Sequence, residues 1–339
     1  IDPILTCLSS LVKDEKINVS NAAIELLGNI SKLSPFFCLP QLRSLLLDAL
    51  VMLDSTCPLR RKEEIARSFL TIINAAEEIL PIYCPTLCLI ALRQLSFTPL
   101  CELTYFDQSY LHNINLNITK AIGIIADRDG SLIGPHVPQF TNFFIWFLQQ
   151  HGPKQLKIAV VKTLYKLISW ESRIKKIDVE PIFSALTTVA SRWNSRKLNV
   201  AVLKLIGLIG AVDQLTYTSD NTTKLDNTIR PSSPAYPMSC ACKTLISVLS
   251  DDFLVVHHSD AIRSLVNIFC YDPTATVSFF NEFMLIFLDQ IRKQKSSEYI
   301  ILLNKLVGEA PREWVMHYTN ELITLVKELW KSPLLSYTL

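Results

Sequence analysis

NAAIELLGNISKLSPFFCLPQLRSLLLDAL, residues 21–50, carries two aliphatic runs with one short break between them. Ile24, Leu27, Ile30 and Leu33 recur at the three-to-four spacing of a helix with one buried stripe. Pro40 then opens the next apolar run. Neither stripe is satisfied by a lone helix, so the stretch reads as a pair of helices that must bury their faces on each other and on neighbours.

The same phrase returns at 65–87, 118–140, 159–183, 261–283 and 302–322, marked by Pro85, Pro138, Pro181, Asn281 and Asn320. Neighbouring markers stand 45, 53, 43 and 39 residues apart, with one wider gap between Pro181 and Asn281. A period of roughly 40–47 residues is that of a two-helix repeat of HEAT type. The wider gap has room for two units if one carries an insertion, and 196–211 and 236–250 supply the helices. The expected fold is therefore all-α: an α-solenoid of superhelical HEAT or armadillo-like repeats, about seven helix pairs, in one array over 1–339. Outer (A) helices are expected near 2–13, 38–54, 82–96, 135–150, 178–193, 236–250, 275–292 and 314–331. Inner (B) helices are expected near 18–33, 58–79, 108–127, 153–170, 196–211, 256–271 and 296–310. Gly28, Gly123, Gly207 and Gly308 recur in B helices although glycine costs about 1 kcal/mol against alanine there, which points to close approach of the next repeat.

Composition agrees. Apolar residues make up 49% of the chain, with 8 Gly and 17 Pro, a balance suited to many helices parted by proline-marked turns. No Gly/Ser-rich linker divides it. Two stretches break the rhythm: 97–107, a lengthened connection, and 214–237, polar and aperiodic, which reads as a flexible insertion. The chain opens on Ile1-Asp2-Pro3 in mid-repeat and so reads as a piece of a longer protein.

The net charge of +2 gives no global drive toward nucleic acid, and no nucleic-acid partner is expected. The most apolar candidate for a membrane span, SCACKTLISVLSDDFLVV, is interrupted by Lys243 and Asp251–Asp252, so no transmembrane segment is expected. Nine cysteines, an odd number spread over apolar faces, fit free thiols in a reducing compartment. The glycosylation patterns at Asn18, Asn29, Asn117 and Asn221 fall mostly in or beside expected helices and read as chance matches.

Chemistry is sparse. There is no GxGxxG after a strand, no GxxxxGK(S/T) loop and no HRD…DFG pair. Asp127-Arg128-Asp129-Gly130 resembles a catalytic string but sits where a B helix should stop. Cys240-Ala-Cys242, with His257 and His258 nearest, has the wrong spacing for a zinc site, and Cys84 and Cys88 read as core thiols. No catalytic residue, cofactor-binding residue or metal ligand is expected in this segment.

One local pattern remains. Basic residues gather at the turns from A to B helices: Arg60, Arg61 and Lys62; Lys154 and Lys157; Arg192, Arg196 and Lys197; Arg292, Lys293 and Lys295. In a stacked array all turns of one kind fall on one edge, so these would form a basic ridge. Two readings stay open: charges that suit the ends of A helices and keep the edge soluble, or a surface for an acidic partner segment or phosphate-bearing ligand.

Three stretches resemble one HEAT array in particular. Residues 21–50 followed by RRKEEIARSFLTIINAAEEILPIYCPTL (60–87), then LKLIGLIGAVDQ (203–214), then the blocks of 256–330 are similar, in that order, to the middle helical region of the target of rapamycin (TOR) kinases, which are phosphatidylinositol-3-kinase-related protein kinases. The insertion at 214–237 falls where TOR proteins carry a long loop, and Gln214 stands where the family has Pro. The resemblance implies a parent serine/threonine kinase of nutrient and growth signalling, cytoplasmic and reaching endomembranes through partners. It implies a scaffold that helps a second kinase protomer dock and receives adaptor subunits such as Raptor. ATP and magnesium would belong to a kinase domain absent from this segment. The competing readings are a freestanding HEAT adaptor or transport protein of importin type, and the HEAT region of a DNA-damage kinase of the same superfamily.

Overall fold

The computed structural model describes residues 2–95, 104–150, 152–171, 179–190, 195–211, 237–271 and 276–330. The expected insertion at 214–237 lies outside the described residues except for Pro237, as does most of the connection at 97–107. The described residues form sixteen α-helices and no strand. They fall into two compact units, 1–177 and 178–339.

The first unit contains α1 (Asp2–Leu11), α2 (Ile17–Leu33), α3 (Pro35–Asp54), α4 (Leu59–Ala75), α5 (Leu80–Gln94), α6 (Tyr105–Asp129), α7 (Val137–Gln149) and α8 (Lys154–Glu171). Consecutive helices pair as hairpins, and the B helices α2, α4, α6 and α8 pack side by side as one layer. The second contains α9 (Val179–Ala190), α10 (Arg196–Ala211), α11 (Pro237–Leu249), α12 (His258–Tyr271), α13 (Val277–Gln294), α14 (Ser297–Glu309), α15 (Arg312–Met316) and α16 (Thr319–Trp330). Here α10, α12 and α14 form the B layer. Each unit is thus a stack of helical hairpins, the all-α HEAT-type solenoid architecture read from the repeat.

The glycines hold the layers together. A Cβ at Gly28 would lie 2.4 Å from Ala75 Cβ on α4; at Gly123, 2.6 Å from Thr163 Oγ1 on α8; at Gly207, 2.6 Å from Ser264 Cβ on α12. In two of these seams the partner also donates a buried hydrogen bond across the gap. Thr163 Oγ1 donates to the Thr119 carbonyl at 3.1 Å, and Ser264 Oγ to the Leu203 carbonyl at 3.1 Å. Each acceptor sits one turn before its glycine, so the same device is built into both units. Gly308 has no atom of a neighbour within 4 Å of such a Cβ.

Some boundaries differ from the sequence reading. Pro40 and Pro85 are not turn markers; they sit inside α3 and α5, which begin earlier, at Pro35 and Leu80. Each is the sixth residue of its helix, past the four N–H groups that lack an intrahelical acceptor, so each forgoes one i→i−4 hydrogen bond. Helix α6 starts at Tyr105 because Thr104 caps it reciprocally, accepting the Asp107 N–H at 3.2 Å and donating to Asp107 Oδ2 at 2.7 Å. The helix expected over 314–331 breaks into α15 and α16 around Tyr318. That ring packs on Phe280, and its hydroxyl donates to Asn281 Oδ1 at 2.9 Å.

Candidate partner-binding surface

Helices α4, α8 and α10 begin at Leu59, Lys154 and Arg196. Arg60, Arg61, Lys62, Lys154, Lys157, Arg196 and Lys197 therefore occupy the opening turns of B helices rather than the ends of A helices. A cation is disfavoured there by the helix dipole, by about 0.3–1 kcal/mol at an exposed site. Local partners offset this. Arg60 Nε lies 3.8 Å from Glu64 Oε1 and Arg61 Nη1 3.2 Å from Glu64 Oε2. Lys62 Nζ donates to Gln94 Oε1 at 3.1 Å, and Lys157 Nζ to the Leu148 carbonyl at 3.0 Å, where it serves the C-terminal end of α7.

Arg292 and Lys293 do fall in the last turn of an A helix, α13, and Lys295 caps it in the left-handed region with φ 46°. Arg292 Nε stands 3.5 Å from Glu328 Oε2 and Lys293 Nζ 2.6 Å from Asp289 Oδ2. Arg192 lies outside the described residues. Arg60, Arg61, Lys62, Lys154 and Lys157 belong to the first unit, and Arg196, Lys197, Arg292, Lys293 and Lys295 to the second, so each unit carries its own basic turns.

Sequence reasoning missed what stands between them. Hairpin alternation puts the opening turns of α4, α6 and α8 on one edge of the first unit, and α6 contributes Tyr105 and Phe106. These rings are 81% and 70% exposed and meet edge-on at 5.9 Å. Exposed aromatics are among the residue types that dominate protein interfaces. The signal was present in the sequence as Thr-Tyr-Phe-Asp, a Thr-x-x-acid pattern that marks a helix start.

The string 127–130 is structural. Arg128 donates from Nη1 to the Ile73 carbonyl and from Nη2 to the Asn74 carbonyl, both at 2.8 Å, satisfying the last carbonyls of α4. Asp127 pairs with Lys166 at 3.1 Å, and Asp129 accepts the Ser131 N–H at 3.0 Å. Gly130 ends α6 as expected, but with φ −65° rather than in the left-handed region. Its bare Cα accepts the Trp170 indole, whose Cγ would be 2.3 Å from a Cβ.

Among the described residues Cys38, Cys84, Cys88 and Cys242 are buried, Cys57, Cys240 and Cys270 half-buried and Cys7 exposed. Cys84 and Cys88 are fully buried with sulfurs 3.7 Å apart, and their mutual hydrogen bond, reinforced by burial, pushes Cys88 far above the usual thiol range. Burial pushes Cys242 up to about 12. His257 is 6% exposed, and Asn199 Nδ2 lies 3.1 Å from its Nε2. His258 Nε2 lies 3.2 Å from the Asp251 carbonyl. Both imidazoles are thus turned to protein partners.

These imidazoles give a pH prediction. Burial lowers the His257 pKa most, Asp260 opposes this, and Arg196 and His258 lower it further. Burial also lowers the His112 pKa, against a hydrogen bond to the Gln108 backbone. Both histidines bind a proton more readily in the unfolded chain. Stability should therefore fall as pH drops below about 6.5, with a slope of at most about 1.4 kcal/mol per pH unit for each histidine. Urea melts from pH 7.5 to 5 should show the loss, and His257→Gln should flatten it. An unchanged slope in that variant removes His257 from the account.

Residues 177–308 match the family model described as the serine/threonine-protein kinase mTOR domain. The chain is 22% identical over 352 residues to the serine/threonine-protein kinase tor1 of Schizosaccharomyces pombe, covering 97% of this chain and 14% of that protein. Against TOR2 of Saccharomyces cerevisiae it is 22% identical over 343 residues, covering 96% and 13%. Along nearly its whole length this chain is similar to the TOR kinases. It spans about a seventh of the length of those TOR relatives. The helical repeats share their fold with yeast importin-beta (Kap95p), at a TM-score of 0.56 and 12% identity over 97% of this chain and 43% of that one. A second importin-beta structure aligns at 0.57 and 12%, over 91% and 44%. Among the described residues, no helix is long and apolar enough to cross a membrane.

Proposed function

We propose that this segment works by shape and contact within a TOR-type serine/threonine kinase, holding an adaptor subunit and a second kinase protomer at set distances from a catalytic region elsewhere in the parent protein. ATP and magnesium belong, in this reading, to that region. The observation that carries it is the similarity to TOR kinases along 97% of the chain, joined to a layered hairpin fold that offers long continuous edges. The likeness to importin-beta rests on architecture alone and lends no cargo.

Within the first unit the edge bearing Arg60, Arg61, Tyr105, Phe106 and Lys154 is the adaptor-facing surface in this proposal. Exposed arginines and aromatics at one rim supply both steering charge and anchors. The test is co-purification of adaptor subunits and of a second, differently tagged protomer with the full-length kinase carrying R60E/R61E or Y105A/F106A. Recovery of at least one partner should drop five- to tenfold in each variant. Undiminished recovery of both partners removes this edge from the proposal.

A further inference from the structure

The first unit has a groove of about 500 Å³ on the open side of its B layer, reaching from Glu25 on α2 to Lys166 on α8. Its apolar strip is Leu70 of α4, Ile124 of α6 and Ile158 of α8, one half-exposed aliphatic from each successive B helix. Gly123 deepens the centre: it carries no side chain, and Thr163 closes against it while bonding to the Thr119 carbonyl. Lysines line the strip. Lys120 lies one turn before Ile124, Lys162 one turn after Ile158, and Lys166 one turn further on. Lys166 is paired with Asp127 at 3.1 Å. Lys120 and Lys162 are exposed and have no ion pair or hydrogen bond among the described residues. The lining contains one carboxylate, Glu25, at the α2 end.

We infer that this groove is a docking site for an acidic amphipathic helix of a protein partner, its aliphatic side chains on Leu70, Ile124 and Ile158 and its carboxylates on Lys120 and Lys162. Three interhelix steps of about 8–10 Å separate α2 from α8, a span of roughly 24–30 Å. About 16–20 helical residues cover that distance. An aliphatic strip flanked by charge of one sign is the arrangement that receives a helix presenting the opposite charge beside its apolar face. This site lies on the open face of the helices, not on their opening turns, and it does not depend on the adaptor-facing edge proposed above.

The test uses the 339-residue chain and a fluorescein-labelled 18-residue peptide of leucine and glutamate with the leucines on one helical face, read by anisotropy at low ionic strength. Saturable binding is expected, weakened at least tenfold in K120E/K162E and screened by added salt. E25K should tighten binding about threefold, a gain that misfolding cannot produce. R60E/R61E should bind as the unaltered chain does, which separates this site from the turn edge. Absence of binding, equal binding of a peptide with lysine in place of glutamate, or an undiminished signal in K120E/K162E with unchanged circular dichroism overturns the inference. Tighter binding of a single-stranded RNA of equal charge, or of vesicles containing anionic lipid, overturns the assignment to a protein helix.

Discussion

Gly207→Ala is expected to lower the stability of the second unit by about 2–4 kcal/mol, while Gly308→Ala leaves it unchanged or raises it by up to about 1 kcal/mol. Both glycines occupy the later part of a B helix, where alanine is the better helix former, so local propensity predicts a gain at both. The difference lies across the seam. A methyl at 207 would come within 2.6 Å of Ser264 Cβ, 2.8 Å of its Oγ and 3.1 Å of its Cα. Retreat of α12 would stretch the bond from Ser264 Oγ to the Leu203 carbonyl, a buried pair with no water to replace it. At 308 nothing stands within 4 Å. Urea melts followed by circular dichroism, with hydrogen exchange on α10 and α12 peptides, would separate the two variants. Equal effects of the two substitutions would show that the seam at Gly207 yields to a methyl group without cost.

The helical order was legible because each apolar stripe has a period of its own. Ile24 and Leu27 are buried as that period requires, while Ile30 is half-buried and Leu33, the last residue of α2, is 85% exposed; most helix ends fall within about three residues of the positions it gives. The partner of each glycine was not legible. That Gly28 meets Ala75 and Gly207 meets Ser264 depends on the register between helices dozens of residues apart, which no local pattern encodes. Pro40 misled for the opposite reason: proline is a strong local signal, but its cost depends on where the helix starts, and Pro35 had already opened α3. The basic residues at 60–62, 154–157 and 196–197 stand where the expected boundaries already put them, on the opening turns of B helices, so the reading that they suit the ends of A helices had the dipole's sign reversed there; only Arg292 and Lys293 end an A helix. The string 127–130 was read as a helix stop, but the capping role of Arg128 was not legible because the helix it caps, α4, ends more than fifty positions earlier in the chain.

Phe283→Ala should cost the second unit about 3–5 kcal/mol, the usual range for emptying a fully buried aromatic site. Phe283 is 0% exposed and lies between Phe269 of α12 and Phe287 of α13, with ring centroids 5.0 and 5.2 Å away. Phe287 in turn meets Tyr299 of α14 edge-on at 6.1 Å. One ring therefore ties an A helix to the B helix before it and, through its neighbour, to the B helix after it. In a repeat stack each hairpin is held mainly by contacts with adjacent hairpins, so a void at such a joint uncouples neighbours as well as weakening one repeat. Phe283→Leu keeps much of the volume and should cost less than about 1.5 kcal/mol. Phe253→Ala, at a ring 96% exposed, should change stability by under about 0.5 kcal/mol. Melting curves give the three costs, and exchange rates of α12, α13 and α14 amides test the uncoupling. If protection in α12 and α14 survives Phe283→Ala while α13 alone opens, the hairpins are held by other contacts and this aromatic joint is not what couples them.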